Sequence, residues 1–204
     1  MSTLQQRPVA IGVYYPSWKI YREIHPGPRV LLSIGGGTGS KQFAGVAANR
    51  EKTARFCQTT KQLLDNFHLD GADIDWEHPR TPDEGADFVA LLVALRACLP
   101  SPAYSITAAL PANEEVLDHI DLPGLLSGPN AVIDYLNLMA YDMAGSWSAV
   151  AGHHAQLHAP TRPKHNFAKQ SMARISYYLI ERRKVDPHRI ILGIPAYGRS
   201  FLGV

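Results

Sequence analysis

Short apolar runs, rich in β-branched and aromatic residues, alternate along this chain with longer stretches of helical period. The runs fall at 9–15, 30–35, 71–76, 104–110, 135–141 and 190–198. Each is nearly continuous in hydrophobicity, as suits strands buried on both faces of a parallel sheet. Between them, 40–67 carries Phe43, Val46, Ala47, Ala54, Cys57, Leu63 and Leu64, a pattern that predicts two helices broken near Asn49. The stretch 83–99 places Phe88, Leu91, Leu92, Leu95 and Leu99 at helical spacing and is stopped by Pro100. A third helix is predicted over 166–184, ending in Glu181, Arg182, Arg183 and Lys184, where cations complement the helix dipole. Strands alternating with helices imply an α/β fold built from βα units.

Composition narrows the function classes. The 204 residues are 46% apolar and carry a formal net charge of +2, which excludes a disordered chain and argues against a polyanion-binding protein. No nucleic-acid partner is therefore expected. Only Cys57 and Cys98 are present, so no disulfide framework is expected. No stretch approaches the roughly 18 apolar residues of a membrane span. The first residues lack the apolar segment of a secretory signal. Residues 1–8 are expected to form a disordered segment, with one domain over 9–204. The joint between the first two runs is odd. Residues 16–29 hold Pro16, Pro26, Gly27 and Pro28, barely enough chain for a parallel crossover of about a dozen residues.

Chemistry concentrates in DGADIDWE, residues 70–77. On a strand, side chains two apart share a face, so Asp73, Asp75 and Glu77 point one way while Ala72, Ile74 and Trp76 point toward the helices. Acids about 7 Å apart are costly to bury if all are ionised. One carboxyl must hold a proton near neutral pH, as a general acid does. A solvated acidic edge or a carboxylate metal site is the other reading. No His or Cys shares this inner face, which leaves only oxygen-liganded Mg²⁺ or Ca²⁺ for the metal case.

Asp70, Asp73, Asp75 and Glu77, with Gly71 and Trp76 interleaved, resemble the signature of family 18 glycoside hydrolases, the chitinases. Other segments agree. SIGG at 33–36 is similar to the family's third barrel strand, MAYD at 139–142 to its sixth, and GIPAYGR at 193–199 to its seventh. VYYPSW at 13–18 is similar to the first strand, and GSW at 145–147 through GHH at 152–154 to the loop after the sixth. The likeness is nearest to the fungal type. It implies a (β/α)8 barrel, here incomplete: six of eight strands are counted, with the second and eighth missing.

The resemblance also implies a mechanism. Glu77 would protonate the glycosidic oxygen, and the substrate's own 2-acetamido carbonyl would attack the anomeric carbon, giving an oxazolinium intermediate and net retention. Asp75 would hold the acetamido N–H and share a proton with Asp73, which Tyr14 and Ser33 would support. Tyr141 would bond the acetamido oxygen, with Asp142 beside it. Trp76, Met139, Trp147, Tyr197 and Arg199 complete the expected substrate-binding set. The implied partner is chitin or a chito-oligosaccharide, bound by a monomer with no cofactor or metal. Localisation stays open, being extracellular by resemblance and otherwise cytoplasmic. With two strands missing, weak or no hydrolysis by this chain is expected, and the alternative reading is a non-catalytic chitin- or chito-oligosaccharide-binding protein or an inactive fragment.

Three features invite other readings. GGGTGSK at 35–41 follows a strand but matches neither nucleotide-loop pattern. His153, His154, His158 and His165 suggest a metal by composition, but only His154 and His158 have helical ligand spacing, and Ala159 and Pro160 argue for a loop. The Glu181–Lys184 run reads as a helix end.

Overall fold

The computed structural model describes residues 27–128, 131–161 and 170–202. Within them, five strands run parallel and pair in sequence order: β1 (Leu31–Gly35), β2 (Gly71–Asp75), β3 (Ser105–Pro111), β4 (Tyr135–Met139) and β5 (Ile190–Leu192). This is the arrangement expected of an incomplete (β/α)8 barrel. The run at 9–15, with Tyr14 in it, lies outside the described residues, as does most of the joint that follows it.

The strands are legible in their two-residue alternation. Ala72 and Ile74 of β2, Ile106, Ala108 and Leu110 of β3, and Leu136 and Leu138 of β4 are all fully buried on the helix side. The other face carries Ser33, Asp73, Asp75, Thr107 and Asn137, a polar interior rather than an apolar one. The β1–β2 register sets Ser33 opposite Asp73, and the β2–β3 register sets Asp73 opposite Thr107.

Helices fill the connections. After β1 come a single turn α1 (Gly36–Gly39), a 3₁₀ turn (Ser40–Gln42), α2 (Phe43–Ala47) and α3 (Arg50–Phe67). The break expected near Asn49 is there because Asn49 is extended and caps α3, accepting from the Lys52 amide at 3.0 Å. Helix α4 (Pro82–Cys98) starts behind a Thr81 cap with Pro82 in its first turn, and buries Phe88, Leu91, Leu92 and Leu95. Two short helices, α5 (Glu114–Asp118) and α6 (Leu122–Leu126), were not foreseen. At five residues each they show no period, and the local signals are their caps Asn113 and Asp121, the acids Glu114 and Glu115 in the first turn of α5, and Pro123 in that of α6.

Two predicted elements are shorter than expected. Of the third predicted helix, the described residues form α7 (Met172–Tyr177); residues 162–169 lie outside the described set, and Gln170 and Ser171 are not helical. Ser171 is extended and caps the helix, while the Met172 and Ala173 amides donate to Gln156 and Leu157 carbonyls at 3.0 Å each. A π-turn over Tyr178–Arg182 then continues the helix. The run at 190–198 forms a ladder only over β5, since Pro195 has no N–H to pair; the last bond is from the Gly193 amide to the Leu138 carbonyl, 2.7 Å.

Trp76 anchors the helix side of β2. It is 3% exposed, stacked on Phe43 at 5.7 Å and edge-on to Phe88 at 5.8 Å, with Phe56 edge-on to Phe43 at 6.1 Å. Its expected place in the substrate set is therefore corrected: the strand's alternation turns it into the core, away from the acids. Trp76→Ala should cost about 3–5 kcal/mol of stability in urea denaturation, as large aromatic truncations in cores do. A loss under about 1 kcal/mol would contradict this packing role.

Candidate active site

The four acids of the signature divide by what surrounds them. Asp70 lies just before β2, where its Oδ2 accepts from the Val30 amide at 2.7 Å. Its own amide donates to the Val30 carbonyl at 2.8 Å, and its carbonyl accepts from the Ser105 amide at 2.8 Å. It therefore joins the starts of three strands, away from the strands' C-terminal ends.

Asp73 is 3% exposed. Ser33 Oγ meets its Oδ2 at 2.9 Å, while Thr107 Oγ1 at 2.6 Å and Asn137 Nδ2 at 2.9 Å meet its Oδ1. Ser33 was expected here. Thr107 and Asn137 were missed; the available signal was that each is a polar residue on the inner face of a mostly apolar strand.

Asp75 closes β2. Burial first, then the charges of Glu77 and Asp73, push its carboxyl up to about 7. Its Oδ1 is buried and has no hydrogen-bond partner among the described residues. Glu77 follows on the same face and is also raised, by burial and then by the charge of Asp142. Tyr141, half-buried, is held above its ordinary value by burial and then by Asp75, Asp142, Glu77 and Asp73, so its hydroxyl keeps its proton and remains a donor.

The glycine-rich segment dismissed as a nucleotide loop turns out to wrap these acids. Gly35 sits at φ 126°, and a Cβ there would lie 1.9 Å from the Asp75 carbonyl oxygen. A Cβ on Gly37 would lie 3.6 Å from Glu77 Oε2, so this segment passes beside the carboxylates without side chains of its own. Ser40 ends it, and its buried hydroxyl accepts from the Glu77 amide at 2.9 Å and lies 2.8 and 3.0 Å from the Gly36 and Asp75 carbonyls. Ser40 was another omission.

A second cluster forms around Asp142, whose backbone is left-handed at φ 57°. Arg199 Nε and Nη2 both lie 2.7 Å from its Oδ1, and His154 Nδ1 lies 3.4 Å from the same oxygen. The Arg199 hydrogen bond is the main reason its carboxyl stays below the usual range, with Tyr197 and His154 adding to it. The Arg199 guanidinium also lies 4.7 Å from the centre of the Trp147 ring and 5.7 Å from that of Tyr197. Trp147 is 61% exposed, which packing does not explain. Met139 is half-buried, on the same face of β4 as Asn137. His154, considered above only as part of a metal-like group, lies tilted against the Tyr197 ring, centroids 5.3 Å apart. Among the described residues no three His, Cys, Asp or Glu side chains are grouped to hold a metal ion.

The sequence profile of glycosyl hydrolases family 18 matches residues 6–204. The chain belongs to this family. Chitinase 1 of Aphanocladium album is 34% identical over 85% of this chain and 41% of its own length. The sporulation-specific chitinase 2 of Saccharomyces cerevisiae is 29% identical over 85% of this chain and 34% of its own. Among solved structures, chitinase ChiA74 of Bacillus thuringiensis superposes with a TM-score of 0.77 at 26% identity, covering 87% of this chain and 30% of that one. The family 18 chain thus spans about two fifths of the length of the A. album relative. Asp75 ends β2 and Glu77 follows it, at the C-terminal end of the strand, where (β/α)8 enzymes carry their sites.

A carboxyl whose pKa is higher in the fold than in the open chain favours folding when protonated. The contribution of Asp75 is fully present below its ordinary 3.8 and is lost as pH rises to about 7. Asp75→Asn removes the cost of the charge. It should stabilise the chain by about 2 kcal/mol at pH 8, after allowing for solvent screening, and leave it little changed at pH 4. Urea denaturation at the two pH values checks this, and equal effects at both would contradict it.

Proposed function

We propose that this chain carries the acid–base apparatus of a chitin-hydrolysing glycosidase acting on β-1,4-linked N-acetylglucosamine by substrate-assisted, retaining catalysis. The observation that carries the reading is Asp75: a carboxyl raised to about 7, with a buried oxygen lacking a hydrogen-bond partner among the described residues, between an immobilised Asp73 and a raised Glu77. Such an oxygen suits an N–H donor brought by the substrate, and the acetamido group supplies one.

In this reading Glu77 is the general acid, since raising a carboxyl toward neutrality keeps the proton it must deliver to the leaving oxygen. Asp75 accepts from the acetamido N–H and orients its carbonyl for attack on the anomeric carbon, and its charge offsets the positive charge of the oxazolinium. Asp73 takes or returns the proton that Asp75 exchanges. Tyr141 donates to the acetamido oxygen. Trp147 offers an aromatic face to a pyranose ring, beside Tyr197 and Arg199. Tyr14 would assist Asp73, and Met139 would line the floor. The domain over 9–204 would act as a monomer on chitin or its oligosaccharides, independent of nucleic acid, membrane, metal or cofactor.

Glu77→Gln tests the acid. At high protein concentration, release of a chromophore from a chito-oligosaccharide should fall by about 10²–10⁴ relative to the unsubstituted chain. Oligosaccharide binding by calorimetry should be retained. Unchanged release would remove Glu77 from the mechanism.

Asp142 offers a second test, because its charge raises Glu77. Asp142→Asn should lower the pKa of the acid and move the alkaline limb of the pH–rate profile to lower pH. A limb that stays in place or moves up would show that Asp142 does not tune the acid.

A further inference from the structure

Cys57 and Cys98 are the two cysteines of the chain, far apart in sequence and both on the outer, helix side of the sheet. Cys57 sits in the middle of α3 and is 1% exposed; Cys98 is the last residue of α4 and half-buried. The two helices pack against each other, both cysteines belong to the same core, and Cys98 lies close enough to Cys57 to act on its thiol. Neither side chain is part of the acid cluster on the opposite face of the strands.

We propose that these two thiols close to an intramolecular disulfide in an oxidising environment, stapling α3 to α4 behind the catalytic strand. The oxidant is a small-molecule disulfide such as oxidised glutathione. Cys98, the accessible partner, attacks it as thiolate and releases one small thiol, leaving a mixed disulfide. Cys57 then loses its proton and attacks the Cys98 sulfur, releasing the second small thiol. In balance, two protein thiols are oxidised and one small disulfide is reduced to two thiols.

The environment sets the order of these steps. Burial, with Cys98 beside it, pushes the Cys57 thiol up to about 12, so it is a poor first nucleophile and reacts only with a sulfur already delivered to it. The same burial shields the finished bond from external thiols. The closed loop of about 40 residues includes β2 and all of the signature acids, and cross-linking a loop of that length removes much of the open chain's freedom. The inference does not rest on the catalytic reading.

The test is an equilibrium in glutathione redox buffers, run on the full chain in native buffer and in concentrated urea, trapped by acid and alkylation and read by peptide mapping. The thiols should form the Cys57–Cys98 bond with an effective concentration about 10² or more higher in native buffer than in urea. The oxidised chain should also melt several degrees above the reduced one, a difference absent in Cys98→Ser. Equal effective concentrations in the two conditions would overturn the proposal. So would glutathione left on Cys98 alone, or disulfide-linked dimers as the main product.

Discussion

Asp73 is a carboxylate buried in the middle of β2, and β1, β3 and β4 each send one side chain to it: Ser33, Thr107 and Asn137. Hydrogen bonds to a charged group contribute about 1.5–3 kcal/mol each, while taking the carboxylate out of water costs several kcal/mol. The two nearly cancel, so the cluster adds little net stability. Its effect is on register. A one-residue slip of any of the four strands turns its donor or acceptor to the apolar side and leaves a buried polar group unmet. With β2 fixed against its neighbours, Asp75 and Glu77 are delivered to the C-terminal end of the sheet in a set order.

The electrostatics beyond that point are graded by how many partners each acid has. Asp142 has Arg199 and His154 and stays low; Asp75 and Glu77 have burial and other anions and are raised. Asp142 thus adds its negative charge to burial in raising Glu77, and Arg199 keeps Asp142 in place while lying over the exposed Trp147. The acid's pKa and the aromatic platform are coupled through one guanidinium. A change to Arg199 would therefore alter both the charge that raises Glu77 and the setting of the Trp147 ring, and could not be assigned to either alone.

Much of this was legible in the sequence because a strand's alternation is strict. The faces of DGADIDWE follow from counting by two, and the long helices follow from their apolar period and from Asn49 and Pro100. What period could not supply was partner identity. Thr107 and Asn137 belong to mostly apolar runs, and only the β2–β3 and β3–β4 pairings bring them to Asp73. Helices α5 and α6 are too short to show a period. Trp76 was placed with the substrate residues because it interrupts the acids in the motif, yet the alternation that made the acids a set puts it against Phe43 and Phe88.

The glycine segment shows the same limit from the other direction. As a string, GGGTGSK has the composition of a phosphate cradle, and the spacing argument could only reject the match. The reason for Gly35 lies on β2, in the backbone of Asp75, which leaves no room for a Cβ there, while Gly37 passes within ordinary contact distance of the Glu77 carboxylate. Ser40 then turns that close approach into a fixed distance by bonding the Glu77 amide and reaching the Asp75 carbonyl. Gly35 admits the acid strand and Ser40 holds it, so the segment fixes the backbone that carries Glu77.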